Sequence, residues 1–288
     1  MNKLPGKLHK AILFLLLFGT VVWAQRPDPT QNHLPGMQEP SNSKLPTLYI
    51  VGDSTVRNGR GDGGNGQWGW GDFVGRYFDT ERINVVNRGL GGRSSRTYIT
   101  ESHWDSIVDV LKQGDFVLIQ FGHNDSGAIN DETRARGSIK GIGEETQEIE
   151  NLVTKKHEIV HTYGWYLRKY IADTRAKGAT PIVCSLVPRK IWRDGKIVRS
   201  GRDYAGWAAE VAHSESVPFV DLNEIVAMRY DEMGPAKVDG LFADEHTHTD
   251  LAGAELNAES VVAGLKTLKH DPLAAYFSSR AETVRPQF

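Results

Sequence analysis

Ser54 follows the apolar run "LYIV" (48–51) after only Gly52 and Asp53. A serine hydroxyl is a weak nucleophile unless a base takes its proton and donors stabilise the oxyanion that attack creates. The chain carries candidates for both. The stretch "FADEHTHTD" (242–250) gathers Asp244, Glu245, His246, His248 and Asp250, which offers His248 as base and Glu245 (or Asp244) as the acid that orients it. The stretch "NRGLGGRSSRTY" (87–98) offers the backbone N–H of Gly92, and "GHND" (122–125) the side-chain amide of Asn124. With the N–H of Ser54 these would form an oxyanion hole. Together they are a complete set for acyl transfer.

Each residue also has a plainer reading. Ser54 can cap a helix, and Asn124 can be an ordinary turn residue. Arg93, Ser94, Ser95 and Arg96 suit a turn and its surface. Thr249 or Asp250 can cap the helix that follows. Two histidines among acids can also hold a metal; that reading requires chelator sensitivity and an active Ser54→Ala variant.

The elements around these residues favour the sharper reading. Short β-rich runs lie at 47–52, 83–89, 115–122, 180–187 and 218–222, near-continuously apolar, as in strands buried on both faces of a parallel sheet. Helical patterns separate them, at 103–114, 161–178, 204–216 and 251–269. In the second, Tyr163, Tyr166, Leu167, Tyr170 and Ile171 share one face and Gly178 suits the C-terminal end. Strand alternating with helix predicts one doubly wound α/β domain, its sheet flanked by helices. Sites in such folds form at the carboxyl ends of strands, where Ser54, the Gly92 loop and Asn124 all fall.

Four ordered blocks, "GDST", "GLGGRSSR", "GHND" and "EHTHT", resemble those of the SGNH (GDSL-type) hydrolases. The likeness runs from Thr47 to Lys269 and looks most like the rhamnogalacturonan acetylesterases. It implies a flavodoxin-like sheet of five parallel strands and hydrolysis of acetyl esters on plant cell-wall polysaccharide, with no cofactor and no metal. Carried over by position, Ser54 is the nucleophile, Gly92 and Asn124 are oxyanion donors, and His248 is the base. The family places an aspartate three residues before its histidine. Here that position is Glu245, with Asp244 one residue earlier, so the orienting acid is Glu245 or Asp244.

Bulk properties fit an exported enzyme. Lys3, Lys7 and Lys10 precede "AILFLLLFGTVVWA", with Val22 and Ala24 where a signal peptidase would read, so residues 1–24 are expected to be a signal peptide. The apolar run is shorter than the roughly 20 residues of a membrane span. Residues 25–45, rich in Pro, Asn, Gln and Ser, are expected to be a flexible tether. The catalytic domain would occupy 46–270 and a C-terminal extension 271–288. The formal net charge of −2 falls to −5 once three lysines leave with residues 1–24. That excludes a nucleic-acid partner and gives no stable membrane association after cleavage. The expected partner is an acetylated polysaccharide or oligosaccharide. Acetylated xylan or a lipid ester is the alternative substrate, and a non-catalytic carbohydrate-binding protein the alternative class. Trp68, Trp70 and Trp104 could stack on sugar rings, although buried packing is the commoner role. The single cysteine, Cys184, lies in "PIVCSLV" and reads as small, buried and inert.

Overall fold

The computed structural model describes Met1 and residues 39–287. The strands are β1 (Thr47–Gly52), β2 (Asn84–Asn87), β3 (Phe116–Gln120), β4 (Thr146–Glu150), β5 (His157–His161), β6 (Thr180–Cys184), β7 (Trp192–Arg193), β8 (Lys196–Ile197) and β9 (Phe219–Val220). Five of them form one all-parallel sheet in the order β2-β1-β3-β6-β9. This is the expected five-stranded doubly wound sheet, and the strand order reverses between β1 and β3, its switch point.

Its strands are apolar throughout because both faces are covered. Leu48 and Ile50 of β1 face one core, with Leu118, Ile182 and Val220; Tyr49 and Val51 face the other, with Val117, Ile119 and Val183. The period of two sorts one strand's side chains onto two cores.

The helices are α1 (Gly71–Val74), α2 (Ser95–Thr100), α3 (His103–Val108), α4 (Tyr163–Ala176), α5 (Tyr204–Ser214), α6 (Leu222–Met233), α7 (Pro235–Asp239), α8 (Leu251–Leu265) and α9 (Ser279–Glu282). Residues of α1, α6 and α8 pack in the first core, those of α3, α4 and α5 in the second. At the start of α4, Thr162 accepts from the Trp165 N–H at 3.1 Å. Gly178, at φ +71°, supplies the left-handed residue that ends the segment. At α8, Asp250 accepts from the Gly253 N–H at 2.9 Å. Gly264 lets α8 press on the sheet, since a Cβ there would lie 2.5 Å from Val220.

Two hairpins interrupt the alternation. The β7–β8 pair turns through Asp194 and Gly195, both with positive φ, the conformation that an Asp-Gly pair favours. The β4–β5 pair lies in the long segment between β3 and α4; Ile149 and Val160 are buried, Glu158 and His161 half-buried, and its other residues exposed.

The expected signal peptide, and the tether as far as residue 38, lie outside the described residues. Residues 39–45 are fastened to the domain: Glu39 pairs with Arg88 at 2.8 Å, Asn42 accepts from Asn84, and Lys112 donates to the Leu45 carbonyl at 3.0 Å. At the other end Leu273 and Ala281 are buried in the first core, so residues 271–287 pack as part of the domain.

Candidate active site

The site begins where β1 stops. Gly52 is dictated by close approach: a Cβ there would fall 2.4 Å from the Val56 side chain and 2.5 Å from the Gln120 carbonyl. The buried Asp53 accepts from the Thr55 N–H (2.9 Å) and hydroxyl (2.8 Å), and its own carbonyl accepts from the N–H groups of Val56 and Arg57. This tight turn leaves Ser54 half-buried at the carboxyl end of the sheet.

Ser54 Oγ lies 2.9 Å from His248 Nε2. The other ring nitrogen, Nδ1, lies 2.5 Å from Asp244 Oδ2. A proton on Nδ1 shared with this carboxylate leaves Nε2 as the acceptor for the serine hydroxyl. The second Asp244 oxygen accepts from the N–H groups of His246 (3.1 Å), Thr247 (2.7 Å) and His248 (2.9 Å). Partial burial alone would raise the Asp244 pKa, but the N–H groups of His248 and Thr247 and the imidazole bring it down to about 2. The loop is anchored where Trp68 N–H donates to the Thr249 carbonyl and the Thr249 hydroxyl donates back to the Trp68 carbonyl.

The partner of His248 is therefore Asp244, and the expectation that favoured Glu245 is corrected. The chain from 244 to 248 closes a turn around Asp244 Oδ1. That returns its carboxylate beneath the imidazole four residues on, while Glu245 is exposed.

The residues expected to donate to the oxyanion line the same cleft as Ser54. The loop after β2 is tied to β1 by the Leu90 N–H on the Gly52 carbonyl (2.9 Å), and a Cβ on Gly91 would lie 3.5 Å from Ser54 Cβ. Gly92 has φ +80°, a conformation open to glycine. Among the described residues no acceptor engages the N–H of Ser54 or Gly92. Asn124, after β3, donates one amide N–H to the Arg93 carbonyl at 2.8 Å, which fixes the amide beside this loop.

Ser54, Gly91, Gly92, Asn124 and His248 line one cleft of about 690 Å³. Arg93, Arg134, Arg136 and Arg189 line it too, and three of these the sequence reading missed. Arg189 follows β6 and was findable from its place past a strand end. Arg134 and Arg136 lie 14 and 16 residues past the end of β3, too far along the chain for a strand end to mark them, and only the tertiary fold brings them in.

Other candidates have structural roles. Ser94 caps α2 in a reciprocal pair with Thr97. Ser95 donates to the buried Asp125 at 2.5 Å. Arg96 is fully buried against Glu158. His246 Nδ1 is 2.6 Å from the Thr247 hydroxyl. Among the described residues no three His, Cys, Asp or Glu side chains converge as a metal site would require. The three tryptophans take the commoner packing role. Trp70 and Trp104 are fully buried, bonded to Gln120 and Asp173 at 2.8 Å each, and Trp68 packs on Phe73. Cys184 is free and buried, and burial pushes its thiol pKa up.

Residues 50–256 match the GDSL-like lipase/acylhydrolase family. The chain belongs to that family. Within it, the chain is 30% identical over 214 residues to a rhamnogalacturonan acetylesterase of Emericella nidulans, covering 74% of this chain and 82% of the relative. It is 33% identical over 226 residues to a probable rhamnogalacturonan acetylesterase of Bacillus subtilis, covering 77% and 93%. The crystal structure of Bacillus subtilis YXIM superposes with a TM-score of 0.62 at 25% identity, over 77% of this chain and 56% of that one. A Geobacillus stearothermophilus acetylxylan esterase shares the fold at a TM-score of 0.51 and 19% identity, over 76% of this chain and 93% of that one. As a GDSL-family member the chain is a carboxylic ester hydrolase.

Proposed function

We propose that this GDSL-family hydrolase removes acetyl groups from pectic rhamnogalacturonan through a Ser54–His248–Asp244 triad. The observation that carries the reading is the unbroken contact from Ser54 Oγ to His248 Nε2 (2.9 Å) and from Nδ1 to Asp244 (2.5 Å), at the floor of an open polar cleft. The substrate is argued from the two rhamnogalacturonan acetylesterases among its relatives.

In this mechanism Ser54 Oγ attacks the acetyl carbonyl carbon and its proton passes to His248 Nε2. Asp244 stabilises the imidazolium and keeps the ring from turning. The carbonyl oxygen takes up negative charge toward the N–H groups of Ser54 and Gly92 and the free Asn124 amide N–H. Collapse expels the sugar hydroxyl, which receives the Nε2 proton, and leaves acetyl-Ser54. Water then attacks with His248 as base and acetate departs.

Acetate release tests the substrate across acetylated rhamnogalacturonan, homogalacturonan and xylan oligosaccharides. The expected order puts the first well above the third, and equal rates on all three would overturn the assignment. Ser54→Ala should remain folded and lose several orders of magnitude in kcat/KM, because triad members act as a unit. Retention of a few per cent of activity refutes the serine mechanism. Export belongs to the same proposal: a polymer substrate lies outside the cell. The mature protein should begin at Gln25, and the mass of the protein recovered from outside the producing cell checks this.

A further inference from the structure

The hydrolytic apparatus leaves most of the cleft's charge unused. Arg93, Arg134, Arg136 and Arg189 line it against one carboxylate, Glu101. Glu101 is already engaged by Arg93 at 2.8 Å and His103 at 3.1 Å. Among the described residues no ion pair holds Arg134, Arg136 or Arg189. The whole chain has a formal charge of −2, so this concentration of cations is local.

Two of the arginines sit on a loop that is built to hold them. Asp131 Oδ1 accepts from the N–H groups of Thr133 (2.8 Å), Arg134 (2.6 Å) and Ala135 (3.2 Å). Ala135, between the two arginines, is buried with φ +40°, a left-handed conformation that non-glycine residues seldom adopt. Beneath it the buried Arg96 donates to the carbonyls of Ile129 and Gly137, each at 2.7 Å. A Cβ on Gly137 would fall 2.1 Å from the Gly127 carbonyl, so the loop is closed tightly on itself.

That loop sets Arg136 Nη1 on the Gly92 carbonyl at 3.1 Å, directly beside the oxyanion donors. No bond within the described residues engages its Nε–Nη2 edge, the edge that matches a carboxylate. Burial and the neighbouring Arg134 push its guanidinium below the usual range, so an anion bound there would offset a standing cost. Arg189 stands on the other side, with Nη1 on the Thr247 hydroxyl at 2.8 Å, next to His248. Cations thus flank Ser54 on both its oxyanion side and its histidine side.

We propose that Arg136, assisted by Arg134 and Arg189, binds the carboxylate of a uronic-acid residue adjoining the acetylated sugar, and so selects acidic over neutral acetylated chains. The proposal rests on the esterase reading of the same cleft and adds the residues that recognise the polymer. A planar guanidinium pairs with a carboxylate through two parallel N–H donors, which a neutral sugar cannot reciprocate.

The test uses one acetylated uronate-containing oligosaccharide and the same compound with its carboxyls reduced to primary alcohols. Wild-type kcat/KM should favour the acidic form by about tenfold or more, chiefly through KM, and the preference should shrink as salt rises from about 50 to about 500 mM. In Arg136→Gln the acidic-to-reduced ratio should fall to within about threefold. Should that variant not fold, Arg134→Gln, at an exposed position, should lower the same ratio. Equal kcat/KM for the two forms in the wild type, or a ratio unmoved by either variant, overturns the proposal. Loss of the esterase reading is seen separately, as absence of p-nitrophenyl acetate hydrolysis. In that event calorimetric titration of both oligosaccharides into Ser54→Ala protein still decides: about tenfold tighter binding of the acidic form supports the carboxylate site, and equal binding refutes it.

Discussion

The carboxylate of Asp244 serves two structures at once. One oxygen closes the 244–248 loop by accepting three backbone N–H groups; the other holds His248 Nδ1. Replacing it by an amide forfeits the charge that stabilises the imidazolium, and with the amide oxygen kept on the three loop N–H groups its NH2 meets Nδ1 as a donor where an acceptor is needed. Asp244→Asn should therefore lower kcat/KM by about 10²–10⁴. Glu245→Gln, at an exposed side chain, should change it by less than about threefold. Initial rates on one soluble acetyl ester compare the two, and a crippled Glu245→Gln would refute the assignment. Asn124 is held in place by the Arg93 carbonyl, and in the proposed mechanism it acts on charge that exists only in the transition state. Asn124→Ala should reduce kcat by about 10²–10³ with little change in KM. An unchanged kcat would leave Asn124 a structural residue.

Between the strands, the segment from β3 to α4 decides the shape of the cleft. It has little core of its own and is held by Arg96 on α2. That fully buried side chain meets Glu158 through Nε (2.6 Å) and Nη2 (2.8 Å) and two loop carbonyls through Nη1. Removing it strands a half-desolvated carboxylate and two carbonyls together. Arg96→Met should cost about 3 kcal/mol of stability or more. Arg96→Lys should recover only part of that, because an ammonium cannot span both carbonyls and the carboxylate. Urea midpoints of the three proteins measure this, and a loss below about 1 kcal/mol for Arg96→Met would show the segment is held elsewhere.

Across the whole molecule, stability and pH are linked through groups buried at the carboxyl end of the sheet. His123 is 5% exposed. Burial lowers its pKa to about 4, against the pull of Asp53 and with help from Arg189 and His248. The unfolded chain binds a proton at this ring near pH 6.5 and the native chain only near 4, so between those values the unfolded state holds more protons. This contribution to stability is complete above about pH 6.5 and is lost as pH falls toward 4. His123→Gln lacks it. From about pH 7 to about pH 4 the wild type should lose on the order of 3 kcal/mol more than the variant. Urea unfolding at both ends of the range reads the difference, and a constant gap between the proteins would show that His123 titrates normally.

The pieces that are legible in sequence are those with local causes. An apolar run at period two makes a strand buried on both faces, and the order of strands and helices makes the sheet. The carboxyl ends of β1, β2 and β3 then place Ser54, Gly92 and Asn124 together. His248 was legible from its loop and its block. Helix α6 went unread because its apolar face follows two-residue β9 without a clear break, and the β7–β8 hairpin because its Asp-Gly turn joins strands of only two residues. What the tertiary structure alone decided depends on closure in space. Asp244 prevailed over Glu245 because backbone N–H groups of the folded loop wrap its other oxygen, which no residue count reveals. Trp70 and Trp104 went to the cores because apolar area is buried wherever the packing admits it. Arg134 and Arg136 line the cleft with Ser54 on a loop whose carbonyls are held by Arg96, 38 and 40 positions earlier in the chain, a contact that no local pattern announces.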